Sequence, residues 1–501
     1  MGRSSALEGA LAWAASVPEL AGIVLIAGPQ DALPDGFTSE GLVQESLLHQ
    51  VILQDTWDES ALVQALTEAA ALPLPDGTLC QSLFYAWGDQ PLLDSALSET
   101  LWKLHQSFGA EYTFADGYPI GLAPEILSPS FPARLNSLVQ DKGRKVGRDA
   151  LFEILRKDIN SFDVETHLSP VDLRMERVVL AAATLRDVAI TEALWAAGGV
   201  DAESLCQLIP QRRDLLRDRP AYFPIQICDQ RPQQALSDLP QRSEDGKDRF
   251  MEYHHFESLC HQILDFAGDA VLDLSLDGDP ALHPQVEQFI RGALKAGEGK
   301  EGGPSSRVLI ETAGLGWDHK VLEDLAQDWG ASERLMWIVT LDAHDPSLYQ
   351  QLRGEGQIEA EATALRLSQL FPTQCWIQAV RMEENEEHLE TFYSYWTEAG
   401  AQVIIQKYNA CAGLRDDHRP ADLAPLDRFP CWHLKRDLPI RLDGEVPLCV
   451  VERGRIPSLG NAFQGKLSEI WAAADSWHRH HVAGEYPSCC ENCDEYYIFN
   501  F

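Results

Sequence analysis

The feature that most constrains the fold is a series of six strand-like runs between residues 223 and 409, with helix-like patterns in the gaps between them. The runs are FPIQIC, AVLDLSL, RVLIETA, LMWIVTLDA, CWIQAVRM and QVIIQKYN. The gaps carry segments such as HPQVEQFIRGALKA and EATALRLSQLF, whose apolar residues recur at helical spacing. Repeated β–α units predict a barrel of parallel strands, here an incomplete one of six units, with function gathered at the carboxyl ends of the strands.

The first 210 residues also alternate strand-like and helix-like stretches, which predicts an α/β domain with a parallel sheet covered by helices. The strand-like run SLFYAW ends just before Asp89. Open α/β sheets bind ligands beyond the carboxyl ends of their strands, so Asp89 is a candidate ligand for a divalent metal or a sugar hydroxyl. The alternative is a turn or helix N-cap residue, which position alone favours.

The segment from about Arg428 onwards is short, turn-rich and rich in cysteine. A segment of this size commonly needs a covalent or metal staple to fold. Its five cysteines are Cys431, Cys449, Cys489, Cys490 and Cys493. The other six are scattered, and we expect them to be small buried apolar residues: Cys80, Cys206, Cys228, Cys260, Cys375 and Cys411.

Composition excludes several classes of function. A chain of 501 residues predicts two to four domains, and the net charge of −37 argues against a nucleic-acid partner. No run of about 18 uncharged apolar residues is present, which predicts no transmembrane helix, and Glu8 interrupts the N-terminal apolar stretch, which disfavours a signal peptide. We therefore expect a cytoplasmic protein that does not bind membranes, whose partner is another protein or a small-molecule substrate.

In a reducing cytoplasm the cysteine cluster is expected to bind metal rather than to form disulfides. Cys431, Cys449, Cys490 and Cys493 supply four thiolates, enough for tetrahedral zinc or for one [4Fe–4S] cluster. A zinc ribbon brings two Cys-x-x-Cys pairs, and here only the second pair has that spacing. The spacing therefore disfavours zinc without excluding it. Cys489 is a spare thiol or an alternative ligand.

The C-terminal segments CWHLKRDLPIRLDGEVPLCV, SLGNAFQGKLSEIWAAAD and PSCCENC resemble the SPASM domain of radical S-adenosylmethionine (SAM) enzymes. The matching positions, in order, are Cys431, Gly444, Cys449, Leu459-Gly460-Asn461, Glu469-Ile470-Trp471, Cys490 and Cys493. The resemblance implies an auxiliary [4Fe–4S] cluster on the four cysteines named above. The longer cysteine set that binds two clusters is absent, so one cluster is implied.

The six-unit region resembles the radical SAM domain. LSLDGDPALHP is similar to the strand that holds the amino group of SAM, which makes Asp277, Gly278, Asp279 and Pro280 candidate remnants of a SAM site. The family's Cys-x3-Cys-x2-Cys motif should follow the first strand. Cys228 stands at its first position, but the next two hold Pro232 and Ala235, which cannot ligate iron. We therefore expect no radical SAM chemistry and weakened SAM binding.

The N-terminal segments WGDQPLLD, GAEYTFADGYPIGLAPEIL and FDVETHLSPVDLR resemble nucleotidyltransferases of the cytidylyltransferase or sugar-nucleotide type. Asp89 matches the aspartate that helps to hold a divalent metal, and Glu165 and Asp172 are further acidic candidates. The family's glycine-rich phosphate loop is not found, so either it has been lost or the true start lies upstream of Met1. Without that loop a triphosphate has no cradle.

The order of the three parts most resembles the spirochaete SPASM proteins. We predict a Rossmann-like nucleotidyltransferase-type α/β domain over residues 1–212, a degenerate radical SAM-like partial (β/α)6 TIM-like barrel over 213–425, and a small cysteine-rich SPASM domain over 426–501. The predicted function is iron–sulfur binding without radical SAM activity, in electron transfer, substrate docking or as a scaffold. The alternatives are a metal-dependent nucleotidyltransferase acting through Asp89 and a zinc-stapled binding module.

Two histidine groups lie in polar, helix-like surroundings. They are His254-His255 and the set His478, His480 and His481. Because a metal-ligand motif needs supporting structural context, we expect these histidines to lie on the surface.

Overall fold

The computed structural model of the protein describes residues 5–28, 48–74, 77–139, 146–238, 249–296, 306–421 and 428–493. The chain forms two compact units, Met1–Leu216 and Arg217–Phe501. The predicted limit at 425/426 falls inside the second unit, and the three-domain division stays a prediction. Among the described residues, no helix combines the length and apolar character needed to cross a membrane.

The first unit contains two small sheets. Its helices are α1 (Ala6–Ala14), α2 (Glu59–Ala71), α3 (Ser95–Phe108), α4 (Phe131–Leu135), α5 (Ala150–Leu155), α6 (Leu185–Ala196) and α7 (Ala202–Gln211). Its strands are β1 (Ile23–Ala27), β2 (Leu48–Leu53), β3 (Leu83–Tyr85), β4 (Tyr112–Asp116), β5 (Glu125–Leu127) and β6 (Val164–Leu168). Strands β1 and β2 pair in parallel, and the others form a sheet in the order β3-β5-β4-β6.

The larger sheet of the first unit is mixed, whereas the sequence pattern predicted a parallel one. Strand β5 runs antiparallel to both β3 and β4, and only β4 and β6 are parallel. The cause is the short connection between β4 and β5, residues 117–124, because a parallel pair needs a crossover of a dozen or more residues. The α/β class is confirmed, and the sheet differs from the prediction in this one strand.

The second unit contains a six-stranded parallel sheet. Its strands are β7 (Tyr222–Pro224), β8 (Ala270–Asp273), β9 (Ser306–Thr312), β10 (Leu335–Thr340), β11 (Cys375–Arg381) and β12 (Gln402–Lys407). The helices between them are α8 (Tyr253–Ala267), α9 (Val286–Lys295), α10 (His319–Trp329), α11 (Pro346–Arg353), α12 (Gln357–Leu370) and α13 (Leu389–Glu398). The strands are neighbours in chain order and all are parallel, which confirms the partial barrel.

The C-terminal region of the second unit contains a short hairpin and three helices. These elements are α14 (Trp432–Arg436), β13 (Glu445–Val446), β14 (Gly460–Asn461), α15 (Leu467–Ala473) and α16 (Asp475–Val482). Residues 437–440 run parallel to the outer strand β7, where the amide of Leu438 donates to the Tyr222 carbonyl at 3.0 Å and the amide of Ile440 to Pro224 at 2.8 Å. The C-terminal region thus covers an otherwise unpaired edge of the barrel.

Arg217, the first residue of the second unit, binds the C-terminal helices. Its guanidinium donates to the carbonyls of Leu434 and Trp471, each at 2.8 Å, forms an ion pair with Asp475, and stacks 3.6 Å from the centre of the Trp471 ring. The indole N–H of Trp471 donates to the carbonyl of Asp218 at 2.6 Å. Burial lowers the pKa of Arg217 to about 10. The tryptophan of the Glu-Ile-Trp motif therefore has a structural role.

Candidate metal centre

The short hairpin of β13 and β14 explains why glycine and asparagine occupy two further motif positions. Gly444 has φ +83°, a left-handed conformation that glycine adopts without strain, and a Cβ there would lie 2.6 Å from the Phe463 ring. The side chain of Asn461 donates to the Asp443 carbonyl at 2.9 Å and accepts from the Phe463 amide at 2.9 Å. Gly444 and Asn461 thus fix the hairpin whose connecting loop contains Cys449.

The loop after Cys449 is held by one buried carboxylate. Glu452 is 3% exposed and accepts from the backbone amides of Gly454 at 3.0 Å and Ile456 at 3.1 Å, as well as from Arg455. The amide of Glu452 donates to the Cys449 carbonyl at 3.2 Å. This compact turn sets the position of Cys449.

The remaining predicted ligands lie at a helix start and in a tight turn. Cys431 is the residue before α14. The Cys493 amide donates to the Cys490 carbonyl at 3.1 Å, and Arg428 donates to the same carbonyl at 2.7 Å. The Arg428 guanidinium also lies 3.8 Å from the centre of the Tyr486 ring. Arg428, which the sequence pattern did not single out, therefore supports the Cys490–Cys493 turn.

The structure brings all four predicted cysteines to the wall of one cavity. Cys489 joins them, with its Sγ 3.8 Å from that of Cys490, and the rest of the wall is partly apolar. None of the eleven cysteines, all of which lie among the described residues, forms a disulfide. Within the described part of the chain, no three His, Cys, Asp or Glu side chains are grouped tightly enough to hold one metal ion. The cavity wall includes Cys431, Cys449, Cys489, Cys490, Cys493, His481, Leu434, Leu448 and Arg428.

Burial and mutual repulsion set the protonation of these thiols. Burial, followed by the neighbouring Cys431 and Cys493, raises the pKa of Cys449 far above its ordinary value. Burial and the adjacent Cys489 also raise the pKa of Cys490. Cys449 and Cys490 are therefore protonated at neutral pH, and binding of a cationic group to them would release protons. Four soft sulfur donors on the wall of one partly apolar cavity have the chemistry that an iron–sulfur cluster or zinc requires of its ligands.

Two of the C-terminal histidines are buried, so the expectation that all of them lie on the surface is wrong. His478 is 3% exposed and His481 is 2% exposed, whereas His480 is exposed. The two buried rings are three positions apart, which places them on one face of α16. His481 lines the cysteine cavity, and burial lowers its pKa to about 4. The adjacent pair His254-His255 is less buried, and the His255 ring stacks on Phe463.

Of the three positions at which a radical SAM cluster has its cysteines, Cys228 is the one that holds a cysteine in this chain. Cys228 is 1% exposed, and its thiol donates to the Asp279 carbonyl at 3.1 Å. Burial raises its pKa to about 12, so it is a thiol rather than a thiolate. Pro232 lines the neighbouring cavity and Ala235 is buried. These residues do not fit a cluster with three thiolate ligands.

The predicted SAM-site remnant lies at the mouth of the barrel, on the wall of a cavity of about 470 Å³. Asp277 has φ +61° and forms a bidentate ion pair with Arg453, in which Arg453 Nη1 lies 2.7 Å from Asp277 Oδ2. Arg441 Nη1 lies 3.6 Å from the same oxygen. The Asp277 carboxylate is therefore already neutralised by two arginines of the C-terminal region.

Asp279 is also saturated by protein donors. Its carboxylate accepts from the Thr312 hydroxyl at 2.9 Å and from the backbone amides of Ala313 at 2.8 Å and Ala281 at 3.0 Å. Pro280 begins the short 3-10 turn that Asp279 caps, and Gly278 packs directly against Cys228. A role of these four residues in binding SAM stays a prediction.

In the first unit, Asp89 forms a bidentate ion pair with Arg148, with distances of 3.0 and 2.5 Å. The N-cap of the following helix is Asp94 rather than Asp89. Asp172 is paired with Arg174 at 2.6 Å, which lowers the pKa of Asp172, and Glu165 lies in β6. The role of Asp89 as a metal ligand stays a prediction.

The C-terminal part of the chain matches a known domain family. Residues 431–494 match SPASM, an iron–sulfur cluster-binding domain. Solved structures similar to the chain include Streptococcus suis SuiB bound to S-adenosylmethionine, at 14% identity over 72% of this chain and 86% of that one with a TM-score of 0.43. Another is anSMEcpe with bound AdoMet, at 13% identity over 54% of this chain and 81% of that one with a TM-score of 0.42.

Two uncharacterized proteins of Treponema pallidum (strain Nichols) are relatives. One is 39% identical over 369 residues, which are 70% of this chain and 98% of the relative. The other is 39% identical over 61 residues, 12% of this chain, and the match spans 28% of that relative's length. The chain therefore belongs to the family of the first Treponema protein, and its C-terminal part matches the iron–sulfur cluster-binding SPASM domain.

Proposed function

We propose that the C-terminal domain holds one [4Fe–4S] cluster on Cys431, Cys449, Cys490 and Cys493. The observation that carries this proposal is that four thiols from three separate segments line one cavity. A bound cluster would supply one-electron chemistry. The chain's own contribution is to fix the ligands: Arg428 holds the Cys490–Cys493 turn and Glu452 holds the turn after Cys449.

We further propose that the barrel carries out no reductive cleavage of SAM. The proposal is supported by Cys228, whose thiol is buried and protonated, and by Pro232 and Ala235 at the other two ligand positions. The protein would then act in the cytoplasm in electron transfer, in docking a substrate or as a scaffold, beside a partner protein or a small molecule. The single proposed cofactor is the C-terminal cluster.

The test of the cluster is elemental analysis of the full chain purified without oxygen. We expect about four iron and four sulfide per chain, as a [4Fe–4S] cluster requires. The Cys493→Ser variant should lose most of both because it removes one of the four ligands. The matched control is Cys375→Ser, which alters a buried thiol of β11 that does not line the cavity and should keep the wild-type content. About one zinc per chain without sulfide would contradict the proposal.

The test of the barrel is incubation of the iron-loaded protein with SAM and a strong reductant. We expect no 5′-deoxyadenosine above the level found with heat-treated protein, because the barrel lacks three thiolates for a SAM-binding cluster. Formation of 5′-deoxyadenosine that disappears in Cys228→Ser would show an active barrel and refute this part of the proposal.

A further inference from the structure

His481 is a buried imidazole on the wall of the cysteine cavity. It lies on α16 and is 2% exposed. The ring of Tyr486 packs against it with centroids 5.0 Å apart and an interplanar angle of 84°, and Arg428 covers Tyr486. The imidazole is therefore held in one orientation next to the predicted ligands.

One nitrogen of His481 has a defined hydrogen-bond partner. The backbone N–H of Cys431 donates to His481 Nδ1 at 3.4 Å. A backbone amide can only donate, so Nδ1 must carry a lone pair rather than a hydrogen. In the neutral imidazole the hydrogen then lies on Nε2.

The other nitrogen has no partner in the protein. His481 Nε2 is buried and has no hydrogen-bond partner among the described residues. An unsatisfied buried donor is destabilising, so native structures rarely keep one without reason. The ring lines a cavity whose wall also holds five cysteines, and sulfur can accept a hydrogen bond.

We propose that His481 donates its Nε2–H to a sulfur atom of the bound cluster or of its thiolate ligands, and thereby makes the cluster easier to reduce. This inference rests on the proposed function, in which the cavity holds an iron–sulfur cluster. Reduction adds negative charge to the cluster and its sulfurs, and a hydrogen bond to sulfur stabilises that charge. Hydrogen bonds to the sulfurs are among the features that set the potential of such clusters.

The test compares the reduction potential of the wild-type cluster with the potentials of three variants of the full chain. Reduction of the cluster is monitored by electron paramagnetic resonance. His481→Phe keeps a ring but removes the donor, and we expect at least a tenfold lower equilibrium constant for reduction, about 59 mV for one electron. His481→Gln retains an N–H and should recover part of the shift. His480→Phe, an exposed residue of the same helix, should leave the potential unchanged.

A second measurement on the wild-type protein does not depend on any variant folding. Electron–nuclear double resonance of the reduced protein, labelled with 15N-histidine and exchanged into D2O, should show a weakly coupled nitrogen and an exchangeable deuteron near the cluster. A strongly coupled nitrogen would show direct ligation by histidine and overturn the inference, as would the absence of both signals.

The two proposals fail in distinguishable ways. A wild-type protein without iron and sulfide refutes the proposed function and, with it, this inference. A His481→Phe protein with full iron and sulfide and an unchanged potential refutes this inference alone. If His481→Phe loses its cluster, electron–nuclear double resonance of the labelled wild-type protein distinguishes a hydrogen bond from His481 to sulfur from direct ligation of iron by His481.

Discussion

The second unit contains two places where the sequence suggests a cluster, and they differ in how their polar atoms are used. At the barrel mouth, the Cys228 thiol and the carboxylates of Asp277 and Asp279 are all bonded to protein. Around the C-terminal cavity, thiols face one another and His481 Nε2 has no partner among the described residues. The comparison teaches that residues at a family's ligand positions can be absorbed into packing, whereas the cysteine cavity keeps a buried imidazole nitrogen without a partner among the described residues.

The largest expected effect that tests this difference is at Asp277. Asp277→Ala leaves Arg453 and Arg441, whose side chains are 11% and 4% exposed, without their shared carboxylate. Removing one partner of a buried ion pair costs about 3–5 kcal/mol, so urea denaturation should show a loss of that size in the free energy of unfolding. Asp277→Asn removes the negative charge but keeps a residue type that tolerates the left-handed backbone. Its loss of stability therefore reports the effect of the charge without that of the backbone conformation. Unchanged stability with weaker SAM binding would mean that the mouth is a ligand site.

A smaller loss is expected at Asp279. Asp279→Ala removes the acceptor for the Thr312 hydroxyl and the Ala313 amide in a buried position. Leaving buried donors unsatisfied costs about 1–3 kcal/mol, and we expect a decrease of about 2.5 kcal/mol in the free energy of unfolding, with iron content unchanged. Loss of iron at wild-type stability would instead connect this residue to the cluster.

Gly278→Ala tests how closely the barrel mouth is packed. A Cβ at Gly278 would lie 3.0 Å from Cys228 Sγ and closer still to the Cys228 carbonyl oxygen. Overpacking of this kind typically costs 1–3 kcal/mol, and we expect about 2 kcal/mol, measured as a shift in the denaturation midpoint. Gly465→Ala is the control, because its Cβ would meet ordinary contacts of 3.5 Å or more. Equal midpoints for both variants would show that the mouth has room for a ligand.

The smallest effect is expected at Cys228 itself. Cys228→Ala removes one weak S–H donor and a small apolar group, so the free energy of unfolding should fall by about 1 kcal/mol. Iron and sulfide should stay at wild-type levels, in contrast to Cys493→Ser. A drop in iron in Cys228→Ala would show that the barrel also binds metal.

The sequence predicted the parts of the fold that have strong local patterns. The six barrel strands and their helices follow from apolar periodicity, and the cysteine cavity was anticipated from a series of matching motif positions. The antiparallel strand β5 was missed because a three-residue strand carries too little pattern to show its direction. Its direction is set by the length of the loop before it.

The missed site residues depend on contacts far apart in the chain. The ion pair between Asp277 and Arg453 joins positions 176 residues apart, which no local pattern reveals. His481 was named from the sequence but expected on the surface because DSWHRHHV is polar on most sides, and only its packing shows that His478 and His481 face inwards. The spacing of three between His478 and His481 was the one feature of the sequence that indicated a shared face of the helix.

The bonds made by Arg217 have a practical consequence for dissecting the protein. A fragment that begins at the predicted limit of residue 426 lacks both Arg217, which donates to Leu434 and Trp471, and Asp218, which accepts from the Trp471 indole. Such a fragment would expose one face of Trp471 and leave three hydrogen-bonding groups of the C-terminal helices without these partners. The shortest piece that retains these bonds starts at Arg217, so barrel and cysteine cavity should be expressed, crystallised and titrated as one body.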